Sequence, residues 1–273
     1  KSTDLNNTGN DTIGDLGFNI WVVANITEEN GISGLAHVFS TTYYNYSSGL
    51  YSYKEIEFRG FGYVEEKRSD GTITKHYFHQ DAARQGKQLK ADLYDRDNKL
   101  FKRNENLFDT KSLNGYFILS LNKSSEVFFD GQQIGNRTVN TTYNYDNFGN
   151  VLIMGHLGDN DVGGDEYYEY YEYLYNTNDW IVNRQKHYFI LDYDNSTILR
   201  QTWYQYDYQG YNQNATKGDI TRKDEFLNLA NNITTTYVYN SFGNLINEIN
   251  PNNQNTTYVY GTRDITNTFA DKM

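Results

Sequence analysis

The chain has 273 residues, a formal net charge of −11 and a sequence pI near 4.9. No basic cluster is available to neutralise a phosphate backbone, which excludes nucleic acid as a partner. Aromatic residues make up 16% of the chain, with 27 Tyr and 15 Phe, against a mean hydropathy of −0.81. Apolar surface supplied by aromatics among Asn, Thr, Asp and Gly is the composition of strands and turns, within either one large all-β unit or two ordinary domains.

In chain order, residues 1–15 are polar and predicted to be flexible, and KSTDLNNTGNDT lacks the apolar stretch of a signal peptide, so the start reads as mature or excised sequence. No apolar run approaches the roughly 18 residues of a membrane helix. TTYYNYSSG (Thr41–Gly49) is the first β-rich segment closed by turn residues. KHYFHQD holds the only close histidine pair, His76 and His79. Their i, i+3 spacing on a strand points them to opposite faces, so one metal is not expected to take both. Asp81–Asp95 has the best helix formers, but Gly86 interrupts it and no apolar stripe persists, so at most a short turn or helical loop is expected. LGDNDVGGDE crowds Asp159, Asp161, Asp165 and Glu166 into a glycine-rich loop. It reads first as a solvated acidic turn and second as a weak calcium candidate without EF-hand spacing.

DEYYEYYEYLYNTNDW (Asp165–Trp180) places Tyr167, Glu169, Tyr171, Tyr173 and Tyr175 on one face of a strand and Tyr168, Tyr170, Glu172 and Leu174 on the other. Both faces being aromatic, the sheet is expected to be covered, or at least partly dried, on both sides. TTYNYDNFGNVLI (Thr141–Ile153) and TTYVYNSFGNLIN (Thr235–Asn247) are repeats, and TTYVYGTRD (Thr256–Asp264) begins a third copy, with Tyr258 one 21-residue unit after Tyr237. LYDRDNKLFKR (Leu93–Arg103) and WYQYDYQGY (Trp203–Tyr211) are looser relatives. Each unit reads as a hairpin: a tyrosine strand, an Asx-x-Phe-Gly-Asn turn, an apolar return strand, then a second turn at Pro251. Units of this length bury apolar surface only against their neighbours.

Asn-x-Ser/Thr sequons occur at Asn6, Asn10, Asn25, Asn45, Asn122, Asn136, Asn140, Asn195, Asn214, Asn232 and Asn255. Composition alone predicts about five, so turn chemistry accounts for part of them and a secreted, glycan-bearing surface for the rest. There is no Cys, and hence no disulfide, thiolate metal site or cysteine nucleophile. No Gly-x-Ser-x-Gly, His-Glu-x-x-His or phosphate-binding glycine loop is present, and no carboxylate pair stands out.

Tyr-x-Tyr-Asp-x-x-Gly-x-aliphatic followed about 20 residues on by another Tyr-x-Tyr resembles the tyrosine-aspartate, or Rhs, repeat. The order of Glu57–Asp81, Leu89–Asn106, Asp165–Gln185 and Ala215–Arg222 is similar to the mid-region of large Rhs-repeat proteins, the B components of insecticidal toxin complexes among them, from about Trp21 to the last residue. The resemblance implies a spiral β-sheet over residues 16–273, forming part of a hollow shell that encloses a polypeptide. Asn240 replaces the usual Asp and Asn253 stands where a glycine is common, both keeping turn chemistry. Nothing resembles the self-cleaving plug of such proteins, which implies a piece of a longer chain.

The resulting expectation is a non-enzymatic segment of an extracellular Rhs-repeat protein. Its expected partners are flanking repeats, identical subunits, an enclosed effector polypeptide and N-linked glycans. A cell-surface filament or adhesin is the alternative, and a carbohydrate-binding or carbohydrate-active β-protein the third reading.

Overall fold

The computed structural model describes residues 16–31, 39–113, 115–228 and 231–261; the expected flexible segment 1–15, with Asn6 and Asn10, lies outside them. The chain divides into two compact units, residues 1–143 with 156–165 and residues 144–155 with 166–273. The first carries β1 (Asn25–Glu29), β2 (Phe39–Ser52), β3 (Glu57–Lys67), β4 (Ile73–Phe78), β5 (Gln88–Tyr94), β6 (Leu100–Leu113) and β7 (Tyr116–Phe128). The boundary runs through β8 (Arg137–Tyr145) and β9 (Val151–Asp159). The second unit carries β10 (Tyr167–Asn176), β11 (Ile181–Asp192), β12 (Ile198–Tyr206), β13 (Ile220–Asn228), β14 (Asn231–Tyr239), β15 (Leu245–Ile249) and β16 (Asn255–Thr257).

Strand order is sequence order from β1 to β16, without a crossover. Pairing is antiparallel through β1 to β8 and through β10 to β16. The protein is therefore all-β and built of successive hairpins, and no helix occurs among the described residues. Asp81–Asp95 resolves into a turn over residues 82–86 followed by β5, because Gln88 to Tyr94 pairs with β4 on one side and β6 on the other.

One turn recurs. At Asp95, Asp146, Asn240 and Asn250 the residue donates its N–H to the carbonyl four residues on, and its own carbonyl accepts from the residue three on. Its side-chain oxygen accepts the N–H groups two and four residues on. The fourth position of this turn is left-handed: Asn98 at φ 60, Gly149 at 87, Gly243 at 78 and Asn253 at 59. Both departures from the repeat pattern thus keep its geometry. Asn240 makes the bonds that Asp146 makes, and Asn253, an Asx side chain tolerant of positive φ, stands where Gly149 and Gly243 stand.

The apolar interior is small. Among the described residues the buried apolar side chains are Leu16, Ala91, Leu174, Tyr206 and Ala215. Within each unit strands contact only their sequence neighbours among the strands, so the faces are dried by side chains on adjacent strands and by loop residues such as Tyr211 and Ala215. That is the partly dried case: nine-tenths of β10 is not buried, and Glu172 and Tyr175 are exposed. Cohesion therefore rests on ladder hydrogen bonds and cross-strand pairs.

Candidate functional site

The tyrosine-rich strand β10 takes the two faces that its alternation predicts. On one, Tyr170 lies opposite Phe189 with rings 4.9 Å apart and nearly parallel, His187 stacks on Phe189 at 4.7 Å, and Trp203 stacks on His187 at 3.8 Å. Tyr211 meets Trp203 edge-on at 5.8 Å. This is a ladder of rings across β10, β11 and β12. On the other face Tyr171 lies opposite Tyr188, and both phenols donate to Glu169 Oε2, at 2.6 and 2.9 Å. Burial first, and then that shared carboxylate, pushes both phenols up, Tyr188 to about 12. Burial and the Asp146 carboxylate push Tyr175 up to about 12 as well, its phenol donating to Asp146 at 2.9 Å and so tying β10 to the repeat turn.

Two buried carboxylates were not singled out by sequence. Asp92, 1% exposed, accepts two bonds from Arg103 on the neighbouring strand, at 2.5 and 3.0 Å. Asp224, fully buried, accepts from Arg222 Nε at 2.7 Å and NH2 at 3.0 Å, from the Thr234 hydroxyl at 2.5 Å and from the Tyr211 phenol. Burial raises the Asp224 pKa, but these donors outweigh it and hold the carboxyl below its ordinary value. A sequence signal was available: Lys90 and Arg222 each stand two residues before the Asp, on the same strand face.

The segment from Asp207 to Asp219 is held by one carboxylate. Asp207 accepts the N–H groups of Thr216, Lys217 and Gly218 on Oδ2, at 2.7, 2.9 and 3.1 Å, and of Asp219 on Oδ1 at 3.0 Å. Burial pulls its pKa up, and the four donors more than offset that. The same segment buries Ala215 against Leu174 and Tyr206, and Ala215 O accepts from the Asn176 amide at 2.8 Å. Gly218 sits at φ 88, a left-handed conformation that L side chains rarely adopt, so ATKGDITR needs its glycine for the backbone at this point. In the first unit, Gln80 ties the loop after β4 to Ser48 O and Gly60 O at 2.7 and 2.9 Å, and Gln85 donates to Phe58 O at 3.1 Å. The sequence landmarks are these tie points.

His76 and His79 do not converge. His76 lies 3.2 Å from Gln88 Oε1, whereas His79 sits 3.7 Å from Asp81 and edge-on to Phe108. In the acidic loop, Asp165 accepts the Asp159 N–H at 2.9 Å and Asp159 accepts the Asp161 N–H at 3.1 Å, so these carboxylates cap their own loop. Among the described residues no group of three or more His, Asp or Glu side chains is gathered as a cation site. Of the sequons, Asn25, Asn45, Asn136, Asn195, Asn214, Asn232 and Asn255 are exposed and Asn122 is half-buried. Asn140 is different. It is 5% exposed, donates to Asn160 at 2.8 Å and accepts from Ser125 at 2.7 Å, so a glycan on it does not fit this fold.

Residues 1–91 match the family model for the insecticide toxin TcdB middle/N-terminal region. No curated protein matches the sequence. The fold is similar to that in the Photorhabdus luminescens Tc holotoxin pore, at 12% identity over 82% of this chain and 19% of that one, with a TM-score of 0.53. It is also similar to TcdB2-TccC3 without its hypervariable C-terminal region, at 12% identity over 81% of this chain and 21% of that one, with a TM-score of 0.51. The chain thus spans about a fifth of the length of those chains. Hairpin repeats, matched first third and shared all-β fold agree: the chain resembles the Rhs-repeat mid-region of a toxin-complex B component.

Proposed function

We propose that this chain is a non-catalytic length of β-sheet wall in a secreted toxin-complex-like protein, and that the wall encloses an effector polypeptide. The observation that carries the reading is the succession of hairpins in sequence order with a recurring turn geometry and few buried apolar residues. Such a sheet extends by adding neighbours and suits a wall better than a compact catalytic core. The similarity of residues 1–91 to the TcdB middle/N-terminal region supports the toxin-complex setting. The test is protease treatment of the full-length protein purified from its source. Recovery of an intact polypeptide that becomes digestible only after the wall is denatured is expected; digestion of every part beyond the repeats under native conditions would refute enclosure. A surface filament is the second reading, since a sheet of this kind presents end strands able to pair with identical neighbours. Sedimentation that shifts to long polymers with concentration would favour it. A carbohydrate-binding role predicts saturable glycan binding lost on changing exposed Tyr or Asp residues.

A further inference from the structure

The strand sequons are one-sided. In the first unit Asn25 lies opposite Tyr43, Asn45 opposite Glu65, and Asn140 opposite Ser125. Register carries that face onward from Glu65 to Lys75, Asp92 and Arg103, while Lys90 pairs Glu105 and Glu105 pairs Ser125. Since pairing partners and every second residue share a face, all three asparagines belong to it. Asn122 joins them through its amide, which donates to Asp109 Oδ2 at 2.7 Å, a residue of the same parity on β6. In the second unit, described by itself, Asn232 lies opposite Phe226 and Asn255 opposite Ile249, which pairs Thr236. The same face runs through Asp224, Trp203 and His187 to Phe189 and Tyr170, whose phenol donates to Asn195 at 2.9 Å.

Turn chemistry explains Asn and Thr in loops, but it gives no reason for strand sequons to avoid one face of each unit. Glycosylation does, because a solvated oligosaccharide needs open water and cannot project into an enclosed volume. We infer that the sequon-bearing face of each unit is its N-glycosylated, solvent-facing side, carrying oligosaccharide at Asn25 and Asn45 in one unit and at Asn195, Asn232 and Asn255 in the other, and that the opposite face looks inward. The glycan assignment stands by itself, and the inward assignment rests on the enclosing-wall reading.

The experiment uses the full-length protein secreted from its source cell. Peptide N-glycosidase release in heavy-oxygen water, read by peptide mass spectrometry, should mark the five named asparagines and leave Asn140 unmarked. Absence of label at all five, or label at Asn140, overturns the glycan assignment. These 273 residues hold no cysteine, so single-cysteine variants made in a full-length background with any other cysteines replaced by serine report each face cleanly. Asn25→Cys and Asn255→Cys should react quickly with a bulky PEG-maleimide, and their opposite-face neighbours Ile26→Cys and Thr256→Cys at least tenfold more slowly. Equal rates with glycans present would refute the inward assignment and leave the glycan sites standing; a polypeptide that is protease-protected while rates are equal would separate that failure from failure of enclosure itself.

Discussion

Four side-chain bonds converge on the buried Asp224, and it sits where a neutral side chain of the same shape would be tolerated sterically. Asp224→Asn keeps the volume but removes the charge that Arg222, Tyr211 and Thr234 address. We expect a loss of about 2 kcal/mol in urea unfolding, the range for charge-assisted bonds to a buried group. Asp224 and Asp207 also set the acid limit. Both have folded pKa values below the ordinary 3.8. A depressed carboxyl contributes stability that is present above the unfolded pKa and is lost as pH falls through the folded value. The urea midpoint should therefore be flat from about pH 6 to 5 and fall steeply below about pH 4. A midpoint that rises in that acid range would remove both carboxylates from this role.

At the scale of elements, the recurring turn makes a sharper statement than any strand. Asn98 and Asn253 occupy positive φ, so Asn98→Ala should cost about 1 kcal/mol in thermal unfolding, whereas Asn253→Gly should be neutral or stabilising by a few tenths. Equal costs would mean that the conformation at the fourth turn position does not matter. The tyrosine strands set an alkaline limit with the opposite sign. Tyr175, Tyr188 and Tyr211 are pushed up to about 12 from an ordinary 10.0. A raised phenol contributes stability that is complete below the unfolded pKa and is lost as pH rises toward the folded one. Loss of β-sheet signal together with phenolate absorbance between about pH 10 and 12 is the expected outcome. The repeat, its period and its two turns were legible in Tyr237, Asn240 and Tyr258 because turn bonds are local and need only a few adjacent residues. The clasp at Asp207 was not legible, since its four donors lie nine to twelve residues away and are brought to it by a fold-specific loop.

For the molecule as a whole, repeats that touch only their neighbours transmit damage over short distances. Hydrogen exchange on the Asp224→Asn variant should show lost protection in β12 to β14 and unchanged protection in β2 and β3. Loss spread evenly along the chain would point to one cooperative body. The acidic charge and the aromatic load, by contrast, belong to the chain at large and exclude partners without choosing one.

Sequence by itself determined the all-β class, the hairpin period, the turn chemistry and the two faces of Tyr167–Tyr175, because each follows from alternation or from bonds between residues close along the chain. Tertiary structure alone decided which residues meet across strands: Arg103 on Asp92, Tyr211 and Thr234 on Asp224, Asn160 on Asn140. The physical reason is register. One-residue shifts such as those at Leu107/Phe108 and Glu172/Tyr173 reset every later pairing, and nothing short of the paired strands reveals where they fall.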